Sequence, residues 1–88
     1  MELKALRYFV KVCEVGGFAR AADSLGTSQS NISVRIARLE KELGGPVFER
    51  RYRGVELTAR GKTLYGYARR VMDLLDEASQ SLNDRDAA

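Results

Sequence analysis

Apolar positions recur with a helical period in four separate stretches of this chain. Leu3, Leu6, Phe9, Val10 and Cys13 share one face of a helix predicted over residues 2–15. Phe18, Ala21, Ala22 and Leu25 follow at i, i+3, i+4 and i+7. They mark a short second helix whose two alanines let another helix approach closely. Ile32, Ile36, Leu39 and Leu43 form the buried stripe of a third helix, opened by Thr27-Ser28 and closed by Gly44-Gly45-Pro46. Gly16-Gly17 and Gly26 separate the first three helices. Val47–Arg50 and Val55–Leu57 are short β-compatible runs around Arg51-Tyr52-Arg53-Gly54, which predicts a hairpin with a basic tip. Finally, Leu64, Ala68, Val71, Leu75, Ala78 and Leu82 repeat at 4-3-4-3-4 spacing, a heptad seam. Thr58 can cap that last helix, predicted over 59–83 and about 37 Å long at 1.5 Å per residue. The polar run from Ser79 to Ala88 is expected to fray.

The fold class is therefore mainly α: three helices and a two-stranded wing over residues 1–58, then a long helix over 59–88. Two helices joined by a four-residue turn, about 18–43, make a helix-turn-helix. A plain three-helix bundle requires the same apolar pattern, so the polar positions must decide. At about 100° per residue, Ser30, Val34, Ala37, Arg38 and Lys41 lie opposite the buried stripe of the third helix. Its first turns hold Gln29, Ser30, Asn31 and Ser33, with no acidic residue before Glu40. Ser28 is a good N-cap, and the free N–H groups behind it suit a phosphate. Amides and hydroxyls followed by Arg35 and Arg38 are the side chains that read base edges in a major groove. Arg50, Arg51 and Arg53 in the hairpin can reach backbone phosphate or an adjacent minor groove.

Composition narrows the alternatives. The chain has no histidine and one cysteine, which removes an internal disulfide, multi-cysteine metal sites and histidine-dependent catalysis. With no nucleophile–base set and no phosphate loop either, an enzyme is not expected. No apolar run approaches the ~20 residues of a membrane span, and no signal-peptide pattern opens the chain, so a cytoplasmic setting is expected. The net charge of +3 conceals an asymmetry. Ser28 to Arg70 carries ten Lys or Arg against four Glu, whereas Val71 to Ala88 carries one Arg against five Asp or Glu. A basic middle facing a polyanion and an acidic end with another task fit that division.

Several runs in order resemble the N-terminal region of LysR-type transcriptional regulators. They are Leu6-Arg7-Tyr8-Phe9, Gly17-Phe18-Ala19-Arg20-Ala21-Ala22, Leu25 and Ser28-Gln29-Ser30, then Ser33, Ile36, Leu39-Glu40 and Glu42-Leu43-Gly44. Val47-Phe48-Glu49-Arg50, Arg53-Gly54-Val55, Leu57-Thr58 and Gly61 complete the match. The resemblance implies a winged helix-turn-helix that binds double-stranded DNA in a sequence-specific way. Its contacts would come from Ser28, Gln29, Ser30, Asn31, Ser33, Val34, Arg35 and Arg38, with Arg50, Arg51 and Arg53 in the wing. It implies an antiparallel homodimer through the linker helix, with tetramers of the full-length regulator as a further state. It also implies a longer C-terminal domain that binds a small-molecule inducer. None of that domain is here, so this chain is expected to be a fragment, with no cofactor of its own.

A two-fold dimer would read an interrupted inverted repeat. Dimerisation is expected through Leu64, Ala68, Val71, Leu75, Ala78 and Leu82, with Val71, Leu75, Ala78 and Leu82 most in need of a partner. Four positions depart from the family pattern. Val34 stands where a basic or long polar residue is usual, and Arg35 follows where a glutamine is common, so either can make the main base contact. Gly17 replaces a capping serine. Arg60 replaces a small residue and can add a phosphate contact. The competing reading is a helical protein-interaction or oligomerisation module whose basic face is only solvated.

Overall fold

The computed structural model describes residues 1–87, with side chains through Asn83. Its elements are α1 (Leu3–Val15), α2 (Phe18–Leu25), α3 (Gln29–Leu43), β1 (Phe48–Arg50), β2 (Val55–Leu57) and α4 (Ala59–Ala87). This is a winged helix-turn-helix with a long C-terminal helix. Ala88 lies outside the described residues.

α1 is the central helix and touches α2, α3 and α4. Because neighbours surround it, burial spreads beyond the single stripe predicted for it. Ala5, Tyr8 and Val12 join Leu6, Phe9 and Val10 in the core, while Leu3 is exposed and Cys13 only half-buried. Phe9, Val12 and Ile32 are fully enclosed. Phe9 and Phe18 both pack on Phe48, with ring centroids 5.2 and 5.6 Å apart, so β1 is anchored to the helices by aromatic contact.

α2 presents Ala21 and Ala22, both buried, to its neighbours. Gly26 ends it in the left-handed conformation (φ 66°), and the Thr27 N–H donates to the Ala22 carbonyl. That pairing satisfies a carbonyl at the helix end and sets the sharp turn into α3. The Ser28 hydroxyl then accepts from the Asn31 N–H at 3.0 Å. Ser28 is thus the N-cap of α3, as its hydroxyl and position led one to expect.

The wing pairs antiparallel with Phe48 opposite Leu57, Glu49 opposite Glu56 and Arg50 opposite Val55. Val47, predicted in the first strand, instead serves as a buried anchor. Its N–H donates to Glu40 Oε2 at 2.8 Å and its carbonyl accepts from the Thr58 N–H at 3.1 Å. The recognition-type helix and the wing are therefore tied by a carboxylate from α3. At the tip, Arg51 N–H donates to the Gly54 carbonyl. Gly54 has φ 92°, and a Cβ there would meet the Gly16 carbonyl oxygen at 2.5 Å. Only glycine lets the wing close onto the α1–α2 turn.

Thr58 caps α4 by accepting from Gly61 N–H at 3.0 Å, while its own hydroxyl donates to the Pro46 carbonyl. Leu64, Ala68 and Met72 sink into the same core as α1. The helix runs on to Ala87, past the predicted end at 83 and through the stretch expected to fray. No glycine or proline follows Gly66, so nothing in the backbone interrupts it.

Two expectations about α4 need correction. Leu64 and Ala68 were assigned to a dimer seam, yet they are 8% and 1% exposed within their own chain. The first half of α4 has α1 beside it and has already buried that stripe. Val71 and Leu75 are half-buried at the edge of the core, and only Ala78 and Leu82 of the predicted seam stand open. The exposed apolar stripe is Tyr67, Leu74, Ala78 and Leu82, with Val71 at its margin. It lies about 80° around the helix from the core stripe at 100° per residue. The heptad reading had merged these two faces into one.

Candidate nucleic-acid interface

The N-terminal half of α3 projects an open face. Gln29, Ser30, Ala37 and Arg38 are exposed, Val34 is 58% exposed, and Ile36 behind it is buried. Ser33 is half-buried on the margin. This face is amide- or hydroxyl-bearing at its start, and its first turn has no carboxylate. The capped end leaves the Gln29 and Ser30 N–H groups outside the helical hydrogen-bond pattern, so partial positive charge gathers there.

Two predicted contact residues have other duties. Asn31 is half-buried, and its Nδ2 donates to Tyr8 Oη at 3.2 Å and Thr27 Oγ1 at 2.9 Å. It fastens the first turn of α3 to α1. Its amide sits on the inner margin of the helix, where the buried tyrosine can accept. Arg35 is also half-buried, with its guanidinium carbon 5.9 Å from the Tyr8 ring centroid and Nη1 3.8 Å from Glu2. Its Nε is buried without a partner. Arg38 shares the same Glu2 carboxylate at 3.8 Å but keeps most of its surface in solvent. Of the neighbours Val34 and Arg35, the one that faces outward is Val34.

The wing arginines differ from one another. Arg50 lies over the Phe18 ring, 4.5 Å from its centroid. Arg51 is folded back on the strands, 2.8 Å from Glu49 and 3.2 Å from Glu56. Arg53 has no carboxylate partner among the described residues. Together with Arg20 and Gln29, these three line a recess of about 510 Å³ between the start of α2 and the wing. Arg20 was missed from the sequence. It sits in the first turn of α2, and only the closure of the wing onto Gly16 brings it beside the hairpin arginines. Gly17 caps α2 without a side-chain bond, so the α2 N-terminus opens at the same recess.

Arg60 does not join this surface. Its Nη1 donates to the Leu43 carbonyl at 2.6 Å and so caps the negative end of α3. Cys13 is likewise outside it. Burial, and secondarily the charge of Glu14, pushes its thiol up to about 12, which leaves it unreactive. Among the described residues no group of three or more His, Cys, Asp or Glu could hold a metal ion. Nor, among the described residues, is any helix long and apolar enough to cross a membrane.

Comparison with known proteins places this arrangement. The family described as bacterial regulatory helix-turn-helix protein, lysR family, matches residues 3–62. The HTH-type transcriptional regulator BudR of Raoultella terrigena is 50% identical over 78 residues, 89% of this chain and 27% of the relative. BudR of Klebsiella aerogenes is also 50% identical, over 89% of this chain and 54% of its own length. The chain thus spans between about a quarter and a half of these relatives. Among solved structures, the BenM DNA-binding domain in complex with catB site 1 DNA superposes with TM-score 0.89 at 41% identity, covering 100% of this chain and 98% of that one. The CbnR DNA-binding domain–DNA complex gives TM-score 0.85 at 38% identity, over 97% and 98%. A family match across most of the chain, joined to the observed fold, means that this chain belongs to the LysR family of bacterial helix-turn-helix regulatory proteins.

Proposed function

We propose that this chain is the operator-recognition module of a LysR-type transcriptional regulator, binding double-stranded DNA sequence-specifically in the cytoplasm as a homodimer. The DNA-binding unit spans residues 1–58, and residues 59–88 form its linker, whose first turns complete the same core. α3 enters the major groove. Gln29 and Ser30 meet base edges, and Val34, which has nothing to donate, faces a thymine methyl. Ser33 and the capped helix start at Ser28 lie against phosphate. Arg50 and Arg53, with Arg20, hold backbone phosphate or the adjacent minor groove. Arg38 reaches the backbone once it leaves Glu2. Asn31 and Arg35 act behind them by fixing α3 on α1.

The observation that carries this reading is the recess. Four arginines converge on it from α2 and the wing, and Gln29 of the reading helix stands at its edge. A phosphate there would place the duplex against the open face of α3. The similarity to DNA-binding domains solved in complex with DNA supports duplex DNA as the ligand. A solvated interaction module has no need for such convergence.

The dimer rests on the stripe Tyr67, Leu74, Ala78 and Leu82. Three of its large side chains are about 60% exposed. Burying a leucine is worth roughly 1.5–3 kcal/mol, so a partner helix is a strong sink for this face. Two copies present two α3 helices and would read an interrupted inverted repeat. The remainder of the regulator would supply an inducer-binding domain and a route to tetramers.

Fluorescence anisotropy against duplex DNA over a range of salt tests the proposal. Binding should weaken linearly in log K against log salt, and Arg53→Ala should flatten the slope by about 0.9. Salt-independent association, or an unchanged slope in the variant, would remove the phosphate role of the wing.

A further inference from the structure

The wing tip carries one side chain that the fold does not use. Tyr52 is 98% exposed, the most open large apolar side chain among those described. It stands in a turn, where glycine, asparagine, aspartate or serine is the usual choice. Among the described residues its hydroxyl has no hydrogen-bond partner, and its ring stacks on no neighbouring aromatic. A single exposed aromatic alone says little. Its neighbours give it meaning. Arg51, on one side, is held by Glu49 and Glu56, so its charge is balanced within the wing. Arg50 is laid over Phe18. Arg50 belongs to the recess behind the tip, so of the tip residues Arg51, Tyr52 and Arg53 the last two are left to meet a ligand there.

We propose that Tyr52 is a DNA-contacting residue of the wing, its ring packed on deoxyribose and its hydroxyl donating to a backbone phosphate beside Arg53. The inference rests on the DNA-binding reading above. Tyrosine suits the position because an apolar ring and a polar tip match the alternation of sugar and phosphate along a strand. It also loses little conformational freedom on binding compared with a long cation. The contact is uncharged, so it adds affinity without releasing a counterion. That separates it in kind from Arg53, whose contribution must depend on salt.

The two residues can be told apart in one set of titrations on the full chain. Tyr52→Ala should weaken binding to duplex DNA by roughly three- to tenfold at every salt concentration, the scale of one net hydrogen bond with some packing. Its log K against log salt slope should equal that of the wild type. Tyr52→Phe should lose only part of that factor. Nitration by tetranitromethane, mapped by mass spectrometry, should modify Tyr52 readily in the free chain and slowly once duplex is bound. The position is exposed, so these variants fold as the wild type does. Wild-type binding with unaltered Tyr52→Ala affinity and unprotected Tyr52 would overturn this proposal alone. A wild type that binds no duplex would overturn the DNA-binding reading and this proposal with it.

Discussion

α3 and α4 are built on the same plan and end with different outward faces. Each buries one apolar stripe against the core: Ile32, Ile36 and Leu39 in α3, and Leu64, Ala68 and Met72 in α4. Opposite its stripe, α3 shows Ser30, Ala37 and Arg38, with Val34 the one apolar side chain of size, and Gln29 stands exposed at the helix start. α4 shows Tyr67, Leu74, Ala78 and Leu82. The first face is content in water and can exchange water for base edges and phosphate. The second is not, and its best exchange is against another apolar helix. Two exposed faces therefore point to different partners, and composition rather than exposure decides which.

Breaking the α4 face should have the largest effect. Leu74→Asp with Leu82→Asp places four carboxylates in a two-fold seam and touches nothing in the core. Sedimentation should show a folded monomer. Binding to a two-half-site duplex should fall by about 10²–10⁴, the loss of linkage between two modules, while weak half-site binding persists. An unchanged oligomer would mean that copies associate through some other surface.

Next in size is the contrast between the two sides of α3. Ile36→Ala should cost about 2–5 kcal/mol of stability in urea unfolding, because Ile36 is 2% exposed and leaves a cavity. Val34→Ala, two positions earlier, should stay within about 0.5 kcal/mol of wild type. A stability loss at Val34 equal to that at Ile36 would erase the distinction between the inner and outer faces.

Element order was legible because its punctuation is local. Gly16-Gly17, Gly26 and Gly44-Gly45-Pro46 close helices wherever they stand, and Ser28 caps α3 by a bond within its own first turn. What escaped was set by packing between distant segments. Val12 and Tyr8 are buried because α1 is surrounded, which a one-face pattern cannot register. Asn31 looked like a base reader, but Tyr8, 23 residues away, claims its amide. Arg20 joins the wing only through the contact of Gly54 with Gly16. Arg51 counts as a cation in the sequence, and its two glutamate partners on the strands become visible only in the hairpin register. The α4 seam was read as one stripe because a heptad count does not say which positions the same chain will cover.

The account stands on the claim that the open face of α3 reads bases. The most direct measurement is selection of bound duplexes from a random library, carried out in parallel with wild type and Gln29→Ala. Wild type should enrich an interrupted inverted repeat. Gln29→Ala should keep the repeat but lose preference at one symmetric position in each half-site, a discrimination of about 1–3 kcal/mol for an amide paired with adenine. A wild type that enriches no repeat would contradict the account. So would a Gln29→Ala variant that binds every duplex more weakly with its base preferences intact, since that result would make Gln29 a backbone contact.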